Sequence, residues 1–65
     1  MKVTYFQDTD TLYIELLPTG VVETRDLDEH TLVEIDQEGH VCAITIEHAR
    51  ARAGIPAFSF EQIPA

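Results

Sequence analysis

Apolar and polar residues alternate along much of the first two thirds of the chain. Leu12, Ile14 and Leu16 lie two residues apart, and Val33 and Ile35 repeat the same spacing between acidic neighbours. A period of two places alternate side chains on opposite faces of a strand. We therefore expect β-strands that direct these five side chains toward a core.

Turn-forming residues separate the alternating runs. Pro18 and Gly20 are expected to end the strand that contains Leu12, because Pro lacks the N–H that a sheet needs and Gly accepts a positive φ. Segment 36–39 begins with an Asp and ends with Gly39, which is typical of a tight hairpin. Runs that recur about every 8–12 residues predict an antiparallel β-meander of about four to five strands.

The pattern changes after Ile46. Residues 47–54 are rich in helix-forming residues and contain no β-branched residue. Glu47 is expected near the start of a short helix, and Gly54 is expected to end it as a C-cap. A helix of about two turns would not persist alone in water, so it must pack on the sheet.

The final segment, residues 55–65, is too apolar for a free tail. The alternation of Phe58 and Phe60 predicts a short strand-like segment on the edge of its own sheet or on a neighbouring subunit. The residues expected to take part in self-association are Ile55, Phe58, Phe60 and Ile63. The predicted fold class is thus α+β, with residues 1–65 as a single domain composed of a meander (1–46), a short helix (47–54) and a C-terminal apolar segment.

The length of 65 residues limits the size of the core. Apolar content of 45% is normal for a globular domain. A chain this short buries only about 60% of the surface of its unfolded state, so pairing with a second copy would add apolar burial. We expect a homo-oligomer, with a dimer as the first hypothesis.

Acidic residues dominate the charge. The formal net charge is −8, all of it in residues 1–46, while residues 47–65 are neutral overall. An acidic surface repels a phosphate backbone, so we expect no binding to nucleic acid. The carboxylates are interpreted either as a solvated, solubilising face or as a docking surface for a basic protein. The candidate docking residues are Glu15, Glu23, Asp26, Asp28, Glu34 and Glu38.

Membrane and secretory features are not found in the sequence. No apolar run approaches the roughly 18 residues of a membrane span, and the first residues contain no signal-peptide core. The single cysteine, Cys42, cannot form an internal disulfide. The expected location is therefore the cytoplasm, without a membrane partner.

Candidate catalytic and metal-binding residues are few. His40, Cys42 and His48 form the set for an alternative function, a metal- or small-molecule-binding enzyme, because zinc favours His and Cys ligands. Their spacing matches no zinc-binding motif. The pair Asp8 and Asp10 lacks the Gly and Glu that a calcium-binding EF-hand loop requires. The sequence thus predicts no cofactor and favours a non-catalytic interaction module.

Several short motifs together resemble a small bacterial family, domain of unknown function 2283. They are Val3-Thr4-Tyr5, the Asp8 and Asp10 spacing, Asp10-Thr11-Leu12-Tyr13-Ile14, the segment from Val33 to Gly39 followed by Val41, and Ile44-Thr45-Ile46-Glu47. The chain departs from the family pattern at 48–50, where members carry a more acidic or Ser-containing motif. The resemblance implies a small antiparallel sheet with a helix and no established activity, with an antitoxin-like role as one hypothesis.

Overall fold

A five-stranded antiparallel sheet forms the body of the protein. The computed structural model describes residues 1–18, 20–55 and 57–64. Its elements are β1 (Lys2–Phe6), β2 (Thr11–Glu15), β3 (Val21–Asp28), β4 (Thr31–Asp36), β5 (Val41–Glu47) and α1 (Ala49–Ala53). The α+β class, the antiparallel sheet and the short helix after the last strand are confirmed.

The strands do not follow the chain order throughout the sheet. Their spatial order is β1-β2-β5-β4-β3. The β1–β2 hairpin and the β3–β4–β5 meander are each sequential, and the two units join because β2 pairs with β5. The edges of the sheet are therefore β1 and β3.

The helix packs on one face of the sheet, which we call the covered face. Leu12, Ala49 and Ile55 form its buried cluster. Ile14 and Ile46 pack against this cluster. Val33 and Ile35, which the alternation placed in the core, are also buried, whereas the same prediction is wrong for Leu16, which lies beyond the end of β2 and is 38% exposed. Because residues opposite one another in an antiparallel sheet share a face, the other set of alternating residues lies on the opposite side.

Helix α1 is shorter than the predicted range 47–54. Glu47 does not start the helix but ends β5, where it pairs with Thr11. His48 adopts a left-handed conformation (φ 56°) that turns the chain, and Gly54 (φ 69°) ends the helix as predicted. This five-residue helix is far too short to cross a membrane, and the described part of the chain offers no other candidate span.

The C-terminal strand-like segment is not formed as a strand. Residues 57–64 have neither helix nor strand. Phe58 instead lines a groove with Val3, Tyr5, Leu12 and Ile55. Phe58, Phe60 and Ile63 nevertheless stay 63%, 72% and 78% exposed, whereas Ile55 is buried in the core cluster.

Candidate functional site

The sheet face opposite α1 carries most of its polar residues, and we call it the open face. Register across the sheet gives two adjacent rows on this face. The first row is Lys2, Glu15, Ala43, Glu34 and Thr24, and the second row is Thr4, Tyr13, Thr45, Leu32 and Asp26. The helix lies on the covered face, so these rows form a broad surface that the helix leaves uncovered.

A tyrosine bridges the middle of the open face. Tyr13 on β2 donates a hydrogen bond from its hydroxyl to Glu34 Oε2 on β4, at 3.3 Å. The contact crosses β5, which is possible because the intervening side chains, Ala43 and Thr45, are short. Partial burial, and then the nearby Glu34 carboxylate, raise the pKa of the Tyr13 phenol. The phenol therefore stays protonated and keeps its role as a donor.

Three of the predicted docking residues lie on the open face. Glu15, Asp26 and Glu34 occupy the two rows, and within the described residues none of them forms an ion pair with a cationic side chain. Glu15 and Glu34 are two strands apart, about 10 Å by strand spacing. That separation exceeds the Debye length of about 8 Å at physiological salt, so salt partly screens the combined potential of the two carboxylates, which is larger at low ionic strength.

The other three predicted docking residues lie elsewhere. Glu23 pairs with Arg25 at 2.9 Å. Asp28 accepts a hydrogen bond from the His30 backbone N–H in the β3–β4 turn. Glu38 lies in the β4–β5 turn. The structure therefore does not bring all six carboxylates to one surface.

One carboxylate of the open face was missed at the sequence level. Glu47 continues this face because it pairs with Thr11, next to the row that contains Tyr13. Its Oε1 lies 3.7 Å from Nδ1 of His30. The helix-forming residues that follow Glu47 indicate a helix start at this position, and only the pairing of Glu47 with Thr11 places it in the sheet.

The end of the sheet beside α1 is fixed by Asp10. This residue, in the β1–β2 turn, has a left-handed backbone (φ 55°). Its Oδ1 accepts hydrogen bonds from the Tyr5 hydroxyl at 2.6 Å and the Arg50 N–H at 2.9 Å, and its carbonyl accepts the Ala49 N–H at 3.0 Å. The first amides of α1 are thus capped by a residue that is distant in sequence.

Arg52 ties the same end of the sheet to the β3–β4 hairpin. Its guanidinium donates to the carbonyls of His30 at 2.8 Å and Glu47 at 3.3 Å, and to Thr31 Oγ1 at 2.9 Å. It also lies 3.6 Å from Asp28. The planar fork of donors lets one side chain hold β4, β5 and the turn before β4 together.

Acid is expected to destabilise the fold through three aspartates. The hydrogen bond from Tyr5 lowers the pKa of Asp10, and backbone N–H groups of His30 and His40 lower the pKa of Asp28 and Asp36, respectively. A lowered folded-state pKa stabilises the protein above the ordinary range of Asp, and this stability is lost as pH falls through the folded-state value. The melting temperature should therefore fall below about pH 4.

Thermal unfolding followed by circular dichroism from neutral to acidic pH checks this expectation. Asp36→Asn should flatten part of the acid-side decrease, whereas Asp8→Asn, at an exposed turn position, should leave the profile unchanged. An acid-side profile that is identical for Asp36→Asn and the native chain would contradict the assignment.

The residues of the alternative metal or enzyme hypothesis are not assembled into one site. Cys42 is buried. His40 Nδ1 lies 3.5 Å from Asp36, whereas the ring of His48 packs edge-on against His30 with centroids 4.5 Å apart. Across residues 1–18, 20–55 and 57–64, no group of three or more His, Cys, Asp or Glu side chains is arranged to hold a metal ion. The geometry thus gives this alternative no specific support.

Comparison with known proteins gives one informative result. The model of the family described as Protein of unknown function (DUF2283) matches residues 2–50, which span β1 to β5 and the start of α1. No curated protein and no solved structure matches the chain. Because the match covers well over half of the sequence and the whole sheet, the chain belongs to the DUF2283 family of proteins of unknown function.

Proposed function

We propose that the protein is a non-catalytic interaction module that docks a basic protein through its open face. The observation that supports this function best is the set of three carboxylates, Glu15, Asp26 and Glu34, which occupy adjacent rows of the open face and form no ion pair among the described residues. Lys2, the one cationic side chain in these rows, is the strand neighbour of Glu15. The net charge of −8 strengthens the field that they create. Such a face attracts a cationic partner and steers its approach.

The chemistry between the carboxylates fits a protein surface. Tyr13, Leu32 and Thr45 are half-buried and provide a contact area between the acidic positions. Tyrosine is enriched among the residues that contribute most to binding energy. Arginines of a partner would bind the carboxylates through paired N–H donors while their stems cover these side chains.

A partner with a basic substrate cleft has the complementary charge. A nuclease carries such a cleft because it binds phosphate, and an acidic sheet face can occupy it in place of nucleic acid. An antitoxin-like role, with an RNase-type toxin as partner, is therefore the specific form of the proposal.

Two triple variants test the proposal with an oligo-arginine peptide as the probe. Glu15→Gln, Asp26→Asn and Glu34→Gln together neutralise the open face. Glu23→Gln, Glu29→Gln and Glu38→Gln remove the same charge from positions outside its two rows. We expect the first triple to raise the Kd about tenfold more than the second, since each exposed ion pair contributes up to about 1 kcal/mol.

Fluorescence anisotropy at two ionic strengths provides the measurement. Binding should weaken with added salt, because exposed ion pairs are screened. Equal losses in the two triples would show that only net charge matters and would contradict a role for the open face. Binding that salt leaves unchanged would contradict the electrostatic basis.

A further inference from the structure

The two edges of the sheet differ in how they are protected from pairing with another strand. β3 has register shifts at Val21/Glu23 and at Asp26/Asp28, and it carries charged side chains along its length. Bulges and charges are the features that keep an edge strand from pairing. β1 pairs with β2 in an uninterrupted register of five residues. Among the described residues, its outer edge therefore has a regular backbone that pairs with no other strand.

Charge also distinguishes β1 from the rest of the chain. Residues 1–7 contain no Asp or Glu, and Lys2 is their one charged side chain. Two copies of a chain with a net charge of −8 repel each other wherever carboxylates meet. The β1 edge is the strand edge along which two copies approach without that repulsion.

An apolar groove runs beside this edge on the covered face. It has a volume of about 290 Å³ and is lined by Val3, Tyr5, Leu12, Ile55 and Phe58. Val3 is 37% exposed and Phe58 is 63% exposed. Apolar side chains next to an open strand edge gain burial when a second strand is added.

We propose that two copies of the chain associate by antiparallel pairing of their β1 strands about a two-fold axis. Centred on Thr4, this pairing sets Thr4 against Thr4 of the second copy, Val3 against Tyr5, and Lys2 against Phe6. The match keeps each residue on its own face of the sheet, since Lys2, Thr4 and Phe6 alternate with Val3 and Tyr5. A two-fold contact uses the same surface on both copies. The β1 edge of each copy is therefore covered by the other, and the assembly stops at a dimer.

The resulting sheet of ten strands is continuous across the dimer. Val3 and Tyr5 of each copy extend the groove of the other, and Lys2 lies over the ring of the facing Phe6. The two open faces then lie on the same side of one sheet. The dimer is inferred from the regular edge of β1 and from the apolar groove beside it, and it does not depend on the function proposed for the open face.

Charge substitutions on the axis test this dimer. Thr4→Asp places two carboxylates opposite each other, and Thr4→Lys places two ammonium groups there, so each variant should be monomeric where the native chain is dimeric. An equimolar mixture of the two should recover the dimer. Thr24→Asp is the matched control, because Thr24 lies on the open face of the other edge strand. Sedimentation equilibrium over a range of concentrations measures the mass in each case.

Four results would overturn the proposal. The first is a native chain that stays monomeric at millimolar concentration, and the second is a Thr4→Asp variant that dimerises as the native chain does. The third is an equimolar mixture of Thr4→Asp and Thr4→Lys that stays monomeric. The fourth is a Thr24→Asp variant that dissociates as strongly as Thr4→Asp. Circular dichroism verifies that each variant is folded. If the Thr4 variants do not fold, amide hydrogen exchange of the native chain decides: β1 amides should gain protection with rising concentration and β3 amides should not, and the absence of that gain overturns the proposal.

Discussion

Leu12→Ala is expected to lower the free energy of unfolding by about 2–4 kcal/mol. Leu12 is 6% exposed and lies between β1, β5 and the segment after α1, where it contacts the buried cluster with Ala49 and Ile55. The substitution removes buried methyl groups and leaves a cavity that the short helix cannot fill. A domain of this length has a total stability of about 3–10 kcal/mol, so the variant should lose a large share of it.

Urea denaturation followed by circular dichroism measures this effect, which suits a chain without tryptophan. Leu27→Ala is the matched control, because Leu27 is 62% exposed on the edge strand β3. Its effect should stay within about 0.5 kcal/mol. Similar losses in the two variants would contradict the location of the core under α1.

Asp10→Ala is expected to lower the melting temperature by several degrees and to release α1 from the sheet. The change removes the acceptor of the Tyr5 hydroxyl and of the Arg50 N–H, and it places alanine at φ 55°. A left-handed backbone is unfavourable for alanine and tolerated by Asp, Asn and Gly. Two causes thus act in the same direction.

Further substitutions at Asp10 separate the two causes. Asn keeps an acceptor and the left-handed backbone, and Gly keeps only the backbone. The expected order of melting temperature is therefore native, Asp10→Asn, Asp10→Gly, Asp10→Ala. Asp8→Ala is the control, since Asp8 is exposed in the same turn. If Asp10→Ala and Asp8→Ala melt together, Asp10 does not cap the helix.

Local patterns predicted much of the secondary structure. Val33 and Ile35 are buried as their spacing indicated. The β4–β5 turn forms as expected, with Gly39 at φ 87° and its N–H donating to the carbonyl of Asp36. These features depend on neighbours a few residues apart, which a sequence displays directly.

The candidate site was predicted only in part. Glu15, Asp26 and Glu34 share the open face, whereas Glu23, Asp28 and Glu38 do not. Counting acidic residues cannot separate these groups, because a register shift of one residue moves a side chain to the opposite face. The shifts in β3 are of this kind.

By itself the sequence determined the alternation, the main turns and the acidic charge of this protein, because each is a property of residues close together in the chain. Only the tertiary structure decided that β2 pairs with β5, that Glu47 belongs to the sheet, and that Asp10 caps a helix forty residues away. Such contacts leave no local pattern. They form because burying Leu12 beneath Ala49 and Ile55 brings distant segments together.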